Sequence, residues 1–266
     1  MQDQARRKKL QDRVALITGA GRGIGRAIAL LYAAHGAKVA VTARSRDELD
    51  EVAGGIADAG GEALVVEADL ARRDAPARVM AQVNEAFGPV EILVNNAGIG
   101  SSTCPAPVVD FDDEFWDLSL ALNLTAPYLL SKLALPEMLA RGYGRIIMVA
   151  SINGKMAAVH GAAYTASKHG LLGLMRTMAT EVVAQGITVN AICPGPVATR
   201  MNDLRIEYDA ARRGVSVEEH EKSATPMGRR LVPDEIAPMA LYLAGDDGAA
   251  VTGQAFNIDG GVLMTV

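Results

Sequence analysis

The sequence carries no surplus of positive charge. Its 26 Lys and Arg face 31 Asp and Glu, for a net charge of -5 at pH 7, which argues against a nucleic-acid partner. Cysteine is scarce. Cys104 and Cys193 stand far apart with no partner motif, the pattern of reduced thiols in a cytoplasmic protein. The four histidines (His35, His160, His169 and His220) lack metal-ligand spacing, so no metal is expected. No apolar run reaches ~18 residues, so no membrane span is expected. The first residues hold no apolar stretch of the kind a secretory leader needs. They carry the basic group Arg6-Arg7-Lys8-Lys9, read as part of a solvated tail over residues 1–10. No linker rich in Pro, Gly or Ser divides the chain, and no internal repeat is visible.

What is present is alternation. Half of the 266 residues are hydrophobic, enough for a sizeable core. Short β-branched runs fall at Val14–Thr18, Lys38–Thr42, Ala63–Glu67, Ile92–Asn95, Arg145–Ala150, Thr188–Ile192 and Ala255–Ile258. Between them lie longer segments such as Ile24–His35, Arg46–Ala59, Ala75–Phe87, Asp112–Leu139 and Ala162–Ala184. Their apolar residues recur at three and four positions, which predicts helices. The strand runs are nearly continuous in apolar residues, as strands covered on both faces are. Strand and helix in alternation predict an α/β fold: one doubly wound domain over residues 11–266, with a seven-stranded parallel sheet and helices on both faces. The segment from Met201 to Pro226 is different. It is dense in charge, with Arg205, Glu207, Asp209, Arg212, Arg213, Glu218, Glu219, Glu221 and Lys222. It reads either as a solvated helical excursion or as a small helical lid over about residues 200–226.

The first strand runs into Thr18-Gly19-Ala20-Gly21-Arg22-Gly23-Ile24-Gly25, and a helical pattern follows at once. Glycines allow a tight turn and a close approach of phosphate to the main chain. A helix N-terminus adds free N–H groups and a positive dipole end. A nucleotide site is expected there, with Gly19, Gly21, Arg22, Gly23, Ile24 and Gly25 as its residues. The spacing is G-x-x-x-G-x-G rather than the general G-x-G-x-x-G. A carboxylate about 20 residues further on marks preference for the ribose hydroxyl of NAD. Here Ala43 and Arg44 hold that place, while Asp47 and Glu48 fall where a first helical turn would attract them. Arg44 and Arg22 are therefore expected to bind the 2′-phosphate of NADP(H), with NAD(H) as the lesser cofactor.

Two stretches pair a tyrosine with a lysine four residues on: "YLLSK" at Tyr128–Lys132 and "YTASK" at Tyr164–Lys168. Only the second has a serine thirteen residues upstream, Ser151, at the end of a predicted strand; for Tyr128 that place holds Phe115. Tyr164 and Lys168 share one helix face. Ligands of such sheets bind beyond the carboxyl ends of the strands. Tyr128 is read as a packing or bundle-face residue. The chemistry suits the second pair. A tyrosine near its ordinary pKa of ~10 holds its proton too tightly to exchange it with a carbonyl oxygen near neutral pH. A lysine ammonium ~4 Å away contributes up to about 4 kcal/mol, roughly three pKa units, toward the phenolate.

Taken together, these residues resemble the short-chain dehydrogenase/reductase family. The resemblance runs from Val14 to Gly261. It rests on "TGAGRGIG" (Thr18–Gly25), "NNAG" (Asn95–Gly98), Asn123, Ser151, "YTASK", "CPGPVAT" (Cys193–Thr199) and "TGQAFNIDGG" (Thr252–Gly261). It implies a Rossmann fold and an oxidoreductase acting on alcohols and carbonyls. It further implies that Tyr164 exchanges the proton, Ser151 holds the substrate oxygen, and Lys168 binds the nicotinamide ribose and lowers the pKa of Tyr164. Asn123 would order a water path. Asp69 and its neighbour Leu70 would meet the adenine. Asn95, Ala97 and Gly98 would line the ribose, and Pro194, Gly195, Val197 and Thr199 the nicotinamide. Asp69 as a helix cap, Asn95 as a turn former and Asn123 as a helix-interior polar residue remain alternatives. The family tail implies a homotetramer.

The closest look is to 3-oxoacyl reductases and polyketide ketoreductases, which implies a small ketone or an acyl-thioester carbonyl as substrate. Arg212, Arg213, Arg229 and Arg230 could form a basic rim for an acidic carrier protein. The alternative function is NAD-dependent oxidation of a small secondary alcohol, hydroxy acid or polyol.

Overall fold

The computed structural model describes residues 8–264. Seven parallel strands form one sheet in the order β3-β2-β1-β4-β5-β6-β7. They are β1 (Val14–Thr18), β2 (Lys38–Ala43), β3 (Glu62–Glu67), β4 (Ile92–Asn95), β5 (Gly144–Val149), β6 (Ile187–Pro194) and β7 (Ala255–Ile258). The chain works outward from β1 to β3, then returns to lay β4 against the other side of β1. The order therefore reverses between β1 and β4, and a crevice opens at that switch point beyond the strand ends.

Side-chain alternation divides the core in two. Val14 and Leu16 of β1 point to one face with Leu93 and Ile146, where α3 (Ala75–Phe87), α5 (Ala126–Arg141) and α6 (Ala162–Val182) cover them through Val79, Leu130 and Met175. Ala15 and Ile17 point to the other with Val41 and Val94. That face is covered by α1 (Gly23–Ala34), α2 (Arg46–Asp58) and α9 (Pro233–Ala244), through Ile28, Val52 and Ile236. Strands β1, β4, β5 and β6 are wholly buried, whereas the edge strands β3 and β7 are only partly covered.

Three features differ from the sequence expectation. Leu10 belongs to the packed body rather than to a tail: it is 1% exposed, and its N–H donates to His35 O at 3.0 Å. Arg6 and Arg7 lie outside the described residues. The expected helix over Asp112–Leu139 is broken into α4 (Asp113–Leu120), a π turn at Ala121–Thr125, and α5. As a whole, Asp113–Arg141 is long and apolar enough to cross a membrane. Yet Ala126, Leu130, Ala134 and Met138 face the sheet, which makes it a core helix here. The sequence reading also missed α9. Pro233 opens it, Glu235 accepts from Val232 N at 2.9 Å, and Tyr32 Oη donates to Ala240 O at 2.8 Å.

The charged segment folds as α7 (Arg200–Arg213) and α8 (Val217–Lys222). Thr199 caps α7 by accepting from Asn202 N. Arg205 ties this layer down: it is paired with Asp209 at 2.7 Å and donates to Ser101 Oγ at 3.2 Å and Val159 O at 3.0 Å. His160 Nδ1 and Tyr208 Oη, 2.6 Å apart, add a second tie to the loop after β5.

Candidate active site

The glycine loop is held by its neighbours across the switch point. Gly19 sits at φ +64, a left-handed conformation in which a Cβ would lie 2.8 Å from Ala97 Cα. Thr18 Oγ1 accepts from Asn96 N and Ala97 N, both at 2.9 Å. Asn96 Nδ2 donates to Thr18 O at 2.8 Å and Gly19 O at 3.1 Å. At Gly25 a side chain would run into the Gly19 backbone and that same amide. Gly23 turns at φ +56 against the Thr199 methyl, 3.2 Å from where its own Cβ would stand. Helix α1 then opens with no side-chain cap on its N–H groups and no acid in its first turn. This is a positive, donor-rich end free to receive a phosphate, so the residues fit the pyrophosphate of a dinucleotide.

At the end of β2, Arg44 is exposed. Arg22 is not free: its Nη1 pairs with Glu48 Oε1 at 2.6 Å. Asp47 and Glu48 occupy the first turn of α2, as their positions suggested. Asp69 uses one oxygen to cap its own turn, accepting from Ala71 N at 3.1 Å. The side chain of Leu70 is buried in one half of the core, and that of Ile24, partly buried, packs against the other half. The Asn95 side chain departs from the expectation. It turns into the core, 2% exposed, donating to Ser131 Oγ at 3.3 Å, which leaves the backbone of Asn95 for any contact in the crevice. The neighbouring Asn96, which the sequence reading passed over together with Thr18, holds the loop instead.

Ser151 follows β5, and Tyr164 and Lys168 lie on the first turns of α6. Ser151 stands beside the Tyr164 phenol and favours its ionised form. Lys168 Nζ lies 5.6 Å from the Tyr164 ring centre and donates to Val149 O at 3.0 Å. Part of Tyr164 remains open to the cleft, yet dense packing around it pushes the phenol pKa up, against the Ser151 hydroxyl, which pulls it down. The expected net depression by Lys168 is therefore not the state of the chain alone. Desolvation of the phenol is the largest influence on it, ahead of the Ser151 hydroxyl. Burial lowers Lys168 to about 8. Behind the pair, the Cys193 thiol is fully buried, and that burial raises its pKa.

Asn123 sits in the π turn with no exposed surface. Its Oδ1 accepts from Ile99 N at 2.8 Å, and its Nδ2 donates to Ile99 O at 3.0 Å and Ser167 Oγ at 3.1 Å. A Cβ on Gly98 would stand 2.9 Å from that Oδ1 and 3.8 Å from Lys168 Nζ. Asn123 therefore clamps the loop after β4 against α6, beside the lysine. On the far wall, Gly195 allows Asp259 to approach, since a Cβ would lie 2.7 Å from its Cα. Pro194 ends β6, and Val197 is buried and pairs with Leu231. The basic rim is largely neutralised: Arg212 pairs with Asp209, Arg229 with Glu235, and Arg230 with Asp203 and Glu221. Tyr128 stands 40% exposed on α5 beside Lys132, and the residue thirteen places upstream of it is Phe115 rather than a serine.

A phosphate-ready loop at the switch point and a Ser-Tyr-Lys set beside it define a nicotinamide-dependent oxidoreductase acting on CH–OH and C=O groups. Comparison with known proteins gives the family. Residues 13–209 match the family model for short chain dehydrogenase, and the chain belongs to that family. It is 39% identical over 258 residues to the D-beta-hydroxybutyrate dehydrogenase of Rhizobium meliloti, covering 94% of this chain and 98% of that one. It is 38% identical over 257 residues to the 3-oxoacyl-acyl-carrier-protein reductase of Synechocystis, covering 96% and 98%. Among solved structures, a variant of actinorhodin polyketide ketoreductase with NADPH superposes with a TM-score of 0.88 at 39% identity, over 93% of this chain and 96% of that one.

Proposed function

We propose that the chain is an NADPH-dependent ketone reductase acting on a 3-oxoacyl or related small carbonyl compound, with Tyr164 as the proton donor. The observation that carries this reading is geometric: the Tyr164 phenol stands beside Ser151, with Lys168 Nζ 5.6 Å from its ring centre. A phenol in that place can pass its proton to a substrate oxygen once the lysine charge and the bound cofactor favour the phenolate. A dinucleotide held by the glycine loop and the open end of α1 would supply the hydride. Ser151 donates to the substrate oxygen and holds it against the phenol. The Lys168 ammonium, largely protonated at pH 7, stabilises the phenolate left after transfer. Asn123 keeps the loop bearing Gly98 and Ile99 against α6, so that this geometry persists. Helices α7 and α8 serve as the cover of the cleft. The free thiols Cys104 and Cys193 suit a cytoplasmic setting. Tyr128, Leu133 and Leu139, exposed on α5, and the half-open edge β7 suit a homotetramer.

A second reading, NAD-dependent oxidation of a small hydroxy acid or alcohol, is favoured by one observation: Glu48 neutralises one of the two arginines expected at a 2′-phosphate. Steady-state assays separate the two. The purified protein is offered a 3-oxoacyl thioester and small ketones with NADPH, and 3-hydroxy acids and polyols with NAD. A kcat/KM at least about tenfold higher in reduction with NADPH supports the first reading. The reverse ranking replaces it with the second.

A further inference from the structure

We infer that Glu48 is a specificity-determining residue that works through Arg22, holding the arginine away from a cofactor 2′-phosphate and so setting the NADPH-to-NADH balance. The inference rests on the reading of the crevice as a dinucleotide site. Glu48 is not a free surface acid. Its Oε1 holds Arg22 Nη1 at 2.6 Å. Its side chain lies over the glycine loop, because a Cβ at Gly21 would meet Glu48 Cβ at 3.0 Å and Oε2 at 3.1 Å. The first turn of α2 stabilises its charge there. Arg22 is the residue immediately before α1, at the opening of the phosphate-ready helix end. Arg44, by contrast, has no ion pair among the described residues and stands ready at the end of β2.

The consequence is a competition. The Arg22 and Glu48 side chains are 51% and 34% exposed, so the pair is weak and water replaces it readily. A 2′-phosphate, carrying more charge than a carboxylate and matching the guanidinium fork, can take Arg22 from Glu48. A ribose hydroxyl offers no such exchange. Glu48 therefore weakens binding of the phosphorylated cofactor and leaves the other nearly untouched.

The test is calorimetric titration of NADPH and NADH into wild type, Glu48→Gln, Arg22→Gln and the double variant, at one fixed salt concentration. The expected result for Glu48→Gln is NADPH affinity raised about fivefold, with NADH affinity changed less than about twofold. In the Arg22→Gln background the gain from Glu48→Gln disappears. An equal change for both cofactors, no change for either, or a gain that persists without Arg22 overturns the inference, while the dinucleotide site stands. If neither cofactor binds any of the four proteins, that reading of the crevice fails as well.

Discussion

Lys168 carries a charge that its surroundings oppose. Burial brings it from 10.5 to about 8, so its ammonium is present below that pH and lost above it. Since the proposed chemistry needs the charge beside Tyr164, reductive kcat/KM is expected to fall as pH rises through about 8. The pH profile of wild type against Lys168→Arg checks this, because arginine stays protonated and the break moves up or disappears. Stability moves the other way. The folded value lies below the unfolded one, so the buried charge costs most below pH 8. The cost is removed between pH 8 and 10.5, by roughly 3 kcal/mol in all. Denaturant titrations of wild type and Lys168→Met at pH 7 and pH 10 read the difference. That Ser151, Tyr164 and Lys168 come together was legible in the sequence, since a serine at a strand end is a positional signal. The choice between Asn95 and Asn96 was legible too, but only through alternation: Asn95 shares the inward face of Leu93, which leaves Asn96 to hold the glycine loop. The state of Tyr164 was not legible, because desolvation depends on packing that no spacing encodes.

The break between α4 and α5 places Asn123 where it satisfies both backbone groups of Ile99. Periodicity alone could not reveal it, since the apolar pattern continues through the π turn. Asn123→Ala leaves those groups unpaired inside the protein and is expected to destabilise it by about 2–4 kcal/mol. The same variant should lose most of its reductase activity, as the loop bearing Gly98 is released from α6. Chemical denaturation and turnover of the one variant check both. The glycine loop makes a sharper demand. Gly25→Ala drives a methyl group into the Gly19 backbone and the Asn96 amide, and is expected to abolish measurable cofactor binding by calorimetry. Helix α9, missed from periodicity, carried a legible start in Pro233 and Glu235.

For the molecule as a whole, alternation was enough for a parallel sheet covered on both faces. The strand order and the place of Leu10 required tertiary packing. The oligomeric state belongs to the same scale. Sedimentation is expected to give a species about four times the 27.9 kDa chain, and Leu133→Glu on α5 should yield a smaller one. A monomer at micromolar concentration would remove the tetramer from the account. The central claim is that Tyr164 donates the proton in ketone reduction. Its most direct test is turnover of Tyr164→Phe with NADPH and a ketone that wild type reduces, beside calorimetric binding of NADPH to both proteins. The account predicts a loss of kcat of at least ~10²-fold, with the cofactor Kd unchanged within about twofold. Turnover close to wild type would contradict it.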